Sequence, residues 1–158
     1  MEERLPMPCR EEETSVFWIE TDQELADAVA SWDDCVGLDT EFIRTDTFYP
    51  IPGLYQVASA DQVFLIDPLT IEDWQPFSTF LMDPKTLIVM HACQEDLEML
   101  NHHLKVQPTS VVDTQFAHAF TGVDYSLSYA NLVRRTIGVE LHKQQTRSNW
   151  LQRPRSEE

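Results

Sequence analysis

Positive charge is scarce in this chain. Its 158 residues hold 11 Lys and Arg against 27 Asp and Glu, a formal net charge of −16. A balance so acidic excludes a general electrostatic grip on nucleic acid or anionic membrane, since both need many cations facing phosphates. Cysteine is sparse as well. Cys9, Cys35 and Cys93 stand far apart, odd in number and with no Cys-x-x-Cys pair. That argues against a disulfide scaffold and for a reduced, intracellular protein. No apolar run approaches the ~18 residues of a spanning helix, and Met1-Glu2-Glu3-Arg4 does not open a signal peptide. The expectation is a soluble cytoplasmic protein with no membrane partner. G-x-G-x-x-G, P-loop and G-x-S-x-G motifs are also missing, so nucleotide-cofactor and serine-hydrolase readings find no support.

What is present points elsewhere. A hydrophobic fraction of 42% over 158 residues fits one domain with its own core. Residues 1–14 are rich in Pro and Glu and read as a flexible acidic leader. The charge is uneven: residues 1–50 carry 14 acids and 3 bases, whereas residues 130–158 carry 6 bases and 3 acids. A polyanion could therefore be held locally by the basic end.

The most informative segment is Asp39-Thr40-Glu41, which closes the apolar run Val36-Gly37-Leu38. On a strand, side chains alternate, so Asp39 and Glu41 share one face and Thr40 points away. Two carboxylates side by side on a half-buried strand resist ionising together. A divalent cation removes that conflict, and carboxylate oxygens suit Mg²⁺ or Mn²⁺. Asp96 falls early in a helix that follows the strand Thr86–Met90. Ligands gather at the carboxyl ends of strands in α/β sheets, which makes Asp96 a candidate third ligand. Asp113, before Thr114-Gln115, reads as a helix cap. His102, His103, His118 and His142 match no zinc spacing and read as structural. Gln56 places an amide inside an apolar strand and needs a partner, in the core or in a substrate. His91 reads equally as a substrate contact or a strand-end hydrogen bond. Lys143 and Arg147 are phosphate-binding or surface charges, and Trp150 is a packing residue.

The remaining pattern is layered. Val16–Ile19 reads as a strand, and Thr21 with Glu24 forms a capping box before the stripe Leu25, Ala28, Val29, Trp32. Strands are expected over Cys35–Phe42, Gly53–Ser59 and Gln62–Ile66, the last two joined as a hairpin at Ala60-Asp61. Helices are expected over 73–82, 93–103, 114–120 and 128–137, the last stopped by Gly138. Thr86–Met90 and Ser110–Val112 add short strands. Early strands followed by alternating strands and helices indicate an α/β domain with a mixed sheet.

Six blocks in this order resemble ribonuclease D of the DEDD 3′→5′ exonuclease superfamily: Leu38–Phe42, Leu54–Val57, Leu65–Pro68, His91–Leu97, Asp113–Gln115 and Ser148–Pro154. The resemblance spans about residues 15–158. It implies a ribonuclease H-like three-layer α/β/α domain with a mixed five-stranded sheet. It implies two divalent cations, Mg²⁺ or Mn²⁺, with Asp39 bridging both, Glu41 serving the ion that activates water, and Asp96 serving the other. The substrates it implies are RNAs, namely tRNA precursors and structured small RNAs, cut from the 3′ end to nucleoside 5′-monophosphates. Thr40, Phe42, Gln56, His91 and Lys143 are the candidate substrate contacts. The family's third motif, a Tyr followed four residues later by an Asp, is missing. The expectation is an exonuclease domain incomplete at its C-terminus and inactive or nearly so alone. The alternatives are a degenerate domain that binds RNA or protein without cleaving, and a DNA-directed exonuclease. Oligomeric state is left open.

Overall fold

The computed structural model describes residues 14–45, 47–122, 124–141 and 149–153. The expected leader lies almost wholly outside the described residues, as do Lys143, Arg147 and His142. Chain order is β1 (Ser15–Ile19), α1 (Asp22–Ser31), β2 (Cys35–Ile43), β3 (Ile51–Ser59), β4 (Gln62–Ile66), α2 (Gln75–Met82), β5 (Leu87–Met90), α3 (Gln94–His103), β6 (Val111–Asp113), α4 (Thr114–Ala119) and α5 (Tyr129–Ile137).

Local chemistry sets most of these boundaries. The Thr21 hydroxyl accepts from Glu24 N while the Glu24 carboxylate accepts from Thr21 N, so α1 begins with the capping box read from the sequence. Asp113 caps α4 and Ser128 caps α5. Gly138 ends α5 at φ 75, a left-handed value that glycine adopts without a Cβ clash. The β3–β4 hairpin turns through Ala60 and Asp61 as expected, with Ala60 at φ 48.

One sheet results, ordered β1-β4-β3-β2-β5-β6. Strands β2, β3 and β4 run antiparallel to their neighbours in turn, while β2–β5, β5–β6 and β1–β4 are parallel. The sheet is mixed, as expected, but has six strands rather than five. The physical reason is at the edge: Val16-Phe17-Trp18-Ile19 pairs along all of β4, from Ser15 against Gln62 to Ile19 against Ile66, instead of leaving that edge bare.

Alternation along the strands separates the two faces. Val36, Leu38 and Thr40 of β2, Tyr55 and Val57 of β3, and Ile88 and Met90 of β5 are buried. They meet Leu25 and Ala28 of α1, Phe77 and Leu81 of α2, and Met99 and Leu100 of α3 in one core. At about 25 cal/mol per Å², burying side chains of this size contributes roughly 1.5–3 kcal/mol each. The opposite face is less covered. There Val63 and Val89 are half-buried, Val16 is 54% exposed, and α4 and α5 bury no residue. Among the described residues, no helix is long and apolar enough to cross a membrane.

Candidate metal centre

The less covered face carries the carboxylates. Asp39 pairs with Gln56 across the sheet and Glu41 pairs with Leu54. A register irregularity lies between Glu41 and Phe42, which face Leu54 and Pro52, so the extra residue, Gly53, bulges from β3. Thr40 points to the other side and is buried. The period-two reading of this motif therefore holds residue by residue.

Asp96 arrives from α3. Strand β5 runs parallel to β2, and the chain turns from it into α3 through Ala92, held at φ 53. A left-handed Ala is strained by about 1–2 kcal/mol, so neighbours must hold it. The Asp113 carboxylate does so, accepting from Ala92 N and Cys93 N, each at 3.0 Å. The same carboxylate accepts from Gln115 N (2.8 Å) and Phe116 N (3.3 Å) at the start of α4. Asp113 is thus the cap the sequence indicated and also the tie between the ends of β5 and β6. Burial raises its pKa, but the backbone donors outweigh burial and hold it below the ordinary 3.8.

Asp96 is buried in the first turn of α3, and the Thr40 hydroxyl donates to its Oδ1. Three carboxylates now share one field. Burial is the largest influence on each. It raises Asp39, with the Thr40 N–H and the His91 charge opposing; Asp39 opens to solvent on the groove side, yet the walls around it strip away enough water for this. Burial and then repulsion from Asp39 and Asp96 push Glu41 up to about 7. Asp96 is raised by burial and by Asp39, against the Thr40 hydroxyl and backbone donors. Burial and mutual repulsion hold these carboxylates towards the protonated state. Among the described residues, no group of three or more His, Cys, Asp or Glu side chains could hold a metal ion.

The candidate substrate contacts divide. Gln56 Nε2 donates to Asp39 Oδ2 at 3.4 Å, so the amide in the apolar strand orients the Asp39 carboxylate. Thr40 is buried, and its hydroxyl donates to Asp96. His91 makes the hydrogen bonds that one of its two readings expected: its Nε2 lies 2.9 Å from Leu127 O and its Nδ1 lies 2.9 Å from Thr114 Oγ1, at the α4–α5 connection. Phe42 is half-buried and packs against the core margin. Lys143 lies outside the described residues.

Beside Asp39 a groove of about 420 Å³ runs over the sheet, lined by Gly37, Gln56, Val89, His91 and Tyr129 among others. The far side of β3 is closed by a contact that the sequence reading did not contain. Arg153 grips the buried Asp67 with Nε (2.6 Å) and Nη2 (2.5 Å) and reaches Gly53 O at 3.4 Å. A Cβ on Gly53 would stand 2.4 Å from Trp150 Cβ, so only glycine admits this segment. Trp150 is a packing residue, as read, and Gly53 is the reason it can pack there.

A model of the 3′-5′ exonuclease family matches residues 16–158. Ribonuclease D of Pseudomonas paraeruginosa is 44% identical over 144 residues, which is 90% of this chain and 38% of that protein. Ribonuclease D of Escherichia coli is 41% identical over 142 residues, covering 88% and 38%. The crystal structure of Escherichia coli RNase D, titled an exoribonuclease involved in structured RNA processing, superposes with a TM-score of 0.82 at 40% identity. It covers 89% of this chain and 38% of its own. Trypanosoma brucei RNase D in complex with RNA U12 superposes at 0.72 with 25% identity over 80% and 48%. The chain spans well under half the length of the ribonuclease D proteins it matches.

Proposed function

The chain belongs to the 3′-5′ exonuclease family, and on that premise we propose that it is the nuclease domain of a ribonuclease D-type 3′→5′ exoribonuclease. Asp39, Glu41 and Asp96 would hold two divalent cations, Mg²⁺ or Mn²⁺, and the substrates would be RNAs such as tRNA precursors and structured small RNAs. The observation that supports the reading is the shared field of three carboxylates from β2 and α3, all raised above their ordinary values, with Glu41 at about 7.

When bound, such cations supply the charge that stabilises both the attacking and the leaving oxygen of a phosphodiester. The chain's own residues prepare the place. Glu41, raised to about 7 by burial and by its acidic neighbours, would release its proton to ligate such a cation. Gln56 orients Asp39, and Thr40 orients Asp96 from beneath the sheet. Asp113 holds the turn that presents α3.

One observation favours a second reading. Among the described residues, no group of three or more His, Cys, Asp or Glu side chains could hold a metal ion. A domain that binds RNA without cutting it fits that observation. Calorimetry with Mn²⁺ separates the two. The exonuclease reading expects uptake near two ions per chain, lost in Asp39→Asn, with slow release of 5′-monophosphates from 3′-labelled RNA in preference to DNA. No uptake, or uptake indifferent to Asp39→Asn, refutes it.

A further inference from the structure

Beyond the carboxylates, the loop joining β2 to β3 displays aromatic surface that the core does not use. It follows β2 from Arg44, three residues past Glu41, and its described residues, 44, 45 and 47–50, are fastened at several points. Arg44 bonds Glu98 at 2.6 Å and Glu95 at 3.5 Å on α3. One helical turn beyond Glu98, His102 lies flat against the Tyr49 ring, with centroids 3.9 Å apart and planes within 7°. The Thr47 hydroxyl donates to Tyr49 O at 2.8 Å, and Pro50 is buried. Phe48 meets Tyr49 edge-on at 4.8 Å and is 83% exposed. A single exposed apolar side chain needs no explanation. Two contiguous rings on a braced loop, with a third from α3 stacked behind them and a candidate site for a polymer end beside them, are a different case.

We propose that Phe48 and Tyr49, backed by His102, form a stacking platform for unpaired bases of single-stranded RNA. This rests on the reading of Asp39, Glu41 and Asp96 as the place of the 3′ end. Position along α3 sets the spacing. His102 lies six residues past Asp96, a rise of about 9 Å, or two to three nucleotides at ~3.4 Å per stacked base. Charge points to the same chemistry. A chain of net charge −16 has little to offer phosphates along a strand. Every base has a π face, and stacking asks for no cation. The acidic surface and the aromatic loop are then parts of one solution: the end is held through metal, and the bases behind it through rings.

The test uses the 158-residue chain with a 5′-fluorescein-labelled octaadenylate in Ca²⁺, read by fluorescence anisotropy. Phe48→Ala is expected to weaken binding about tenfold, from the 1–3 kcal/mol that a stacked base contributes. Phe48→Trp is expected to keep it. An abasic site at the third nucleotide from the 3′ end should weaken the unaltered chain by the same factor and leave Phe48→Ala unaffected, while an abasic site at the 5′ end should do nothing. Equal loss at every abasic position, no loss in Phe48→Ala, or no binding by the unaltered chain overturns the platform. Calorimetry with Mn²⁺ on Phe48→Ala keeps the two ideas apart. Uptake unchanged alongside lost base dependence supports the platform. Base dependence at that position without Mn²⁺ uptake in the unaltered chain overturns the metal reading and leaves the stacking in place.

Discussion

Replacing Glu41 with Gln should make the metal-free protein more stable, and only at high pH. The Glu41 carboxyl titrates near 4.5 in an ordinary setting and near 7 in the fold. A pKa raised by folding contributes stability in full below the unfolded value. That contribution drains away as pH rises and is gone above the folded value. At ~1.4 kcal/mol per pH unit, the interval from 4.5 to 7 amounts to about 3 kcal/mol. Asp39 and Asp96 share the repulsion and take up protons as Glu41 releases its own, which trims the measurable effect to about 2 kcal/mol. Urea unfolding of both proteins in a chelator, at several pH values between 4 and 8.5, reads this directly. The curves should coincide near pH 4 and diverge through pH 7, with Glu41→Gln the more stable. Adding Mn²⁺ at pH 8 should reverse the order, because ligand binding stabilises by mass action and the variant has lost a ligand. A difference that does not change with pH, or a variant less stable at pH 8 without metal, would show that the three acids do not share a field.

Two further outcomes follow from single residues. Asp113→Ala should cost about 2 kcal/mol at pH 6, since it removes a cap together with the brace on Ala92. Because the folded pKa of Asp113 lies below 3.8, its contribution is present above 3.8 and lost as pH falls through the folded value. The deficit measured by denaturant titration should therefore narrow as pH falls below 3.8. Arg153→Met removes the guanidinium that pairs with the Asp67 carboxylate, 4% exposed. A loss of about 3 kcal/mol in thermal or urea unfolding is expected, and Asp67→Asn in the same chain should recover part of it.

Much of this was legible in the sequence wherever the signal was local. Alternation placed Asp39 and Glu41 together and Thr40 opposite. The Thr21/Glu24 box, the Asp113 cap and Gly138 marked helix ends through hydrogen bonds two to four residues long. What was not legible depends on distance. The link from Thr40 to Asp96 spans 56 residues, and nothing near Thr40 announces it. His91 was equally a substrate group or a strand-end partner until Leu127 and Thr114 closed on both nitrogens. The strain at Ala92 had no local cue, because alanine does not ask for a positive φ. The sixth strand was visible as Val16–Ile19, but its neighbour was not, and the resemblance alone suggested five.

The grip of Arg153 on Asp67 bears on the order of assembly. Its partners lie 86 residues apart. Closing a loop of that length early would forfeit about 4 kcal/mol of chain freedom for one contact. The β2–β3–β4 meander closes through far shorter connections and creates the Asp67 and Gly53 docking points first. Arg153 then acts as a latch drawn after the folding barrier has been crossed. Removing it should leave the refolding rate nearly unchanged and quicken unfolding, so this contact governs how long the folded chain lasts rather than how fast it forms.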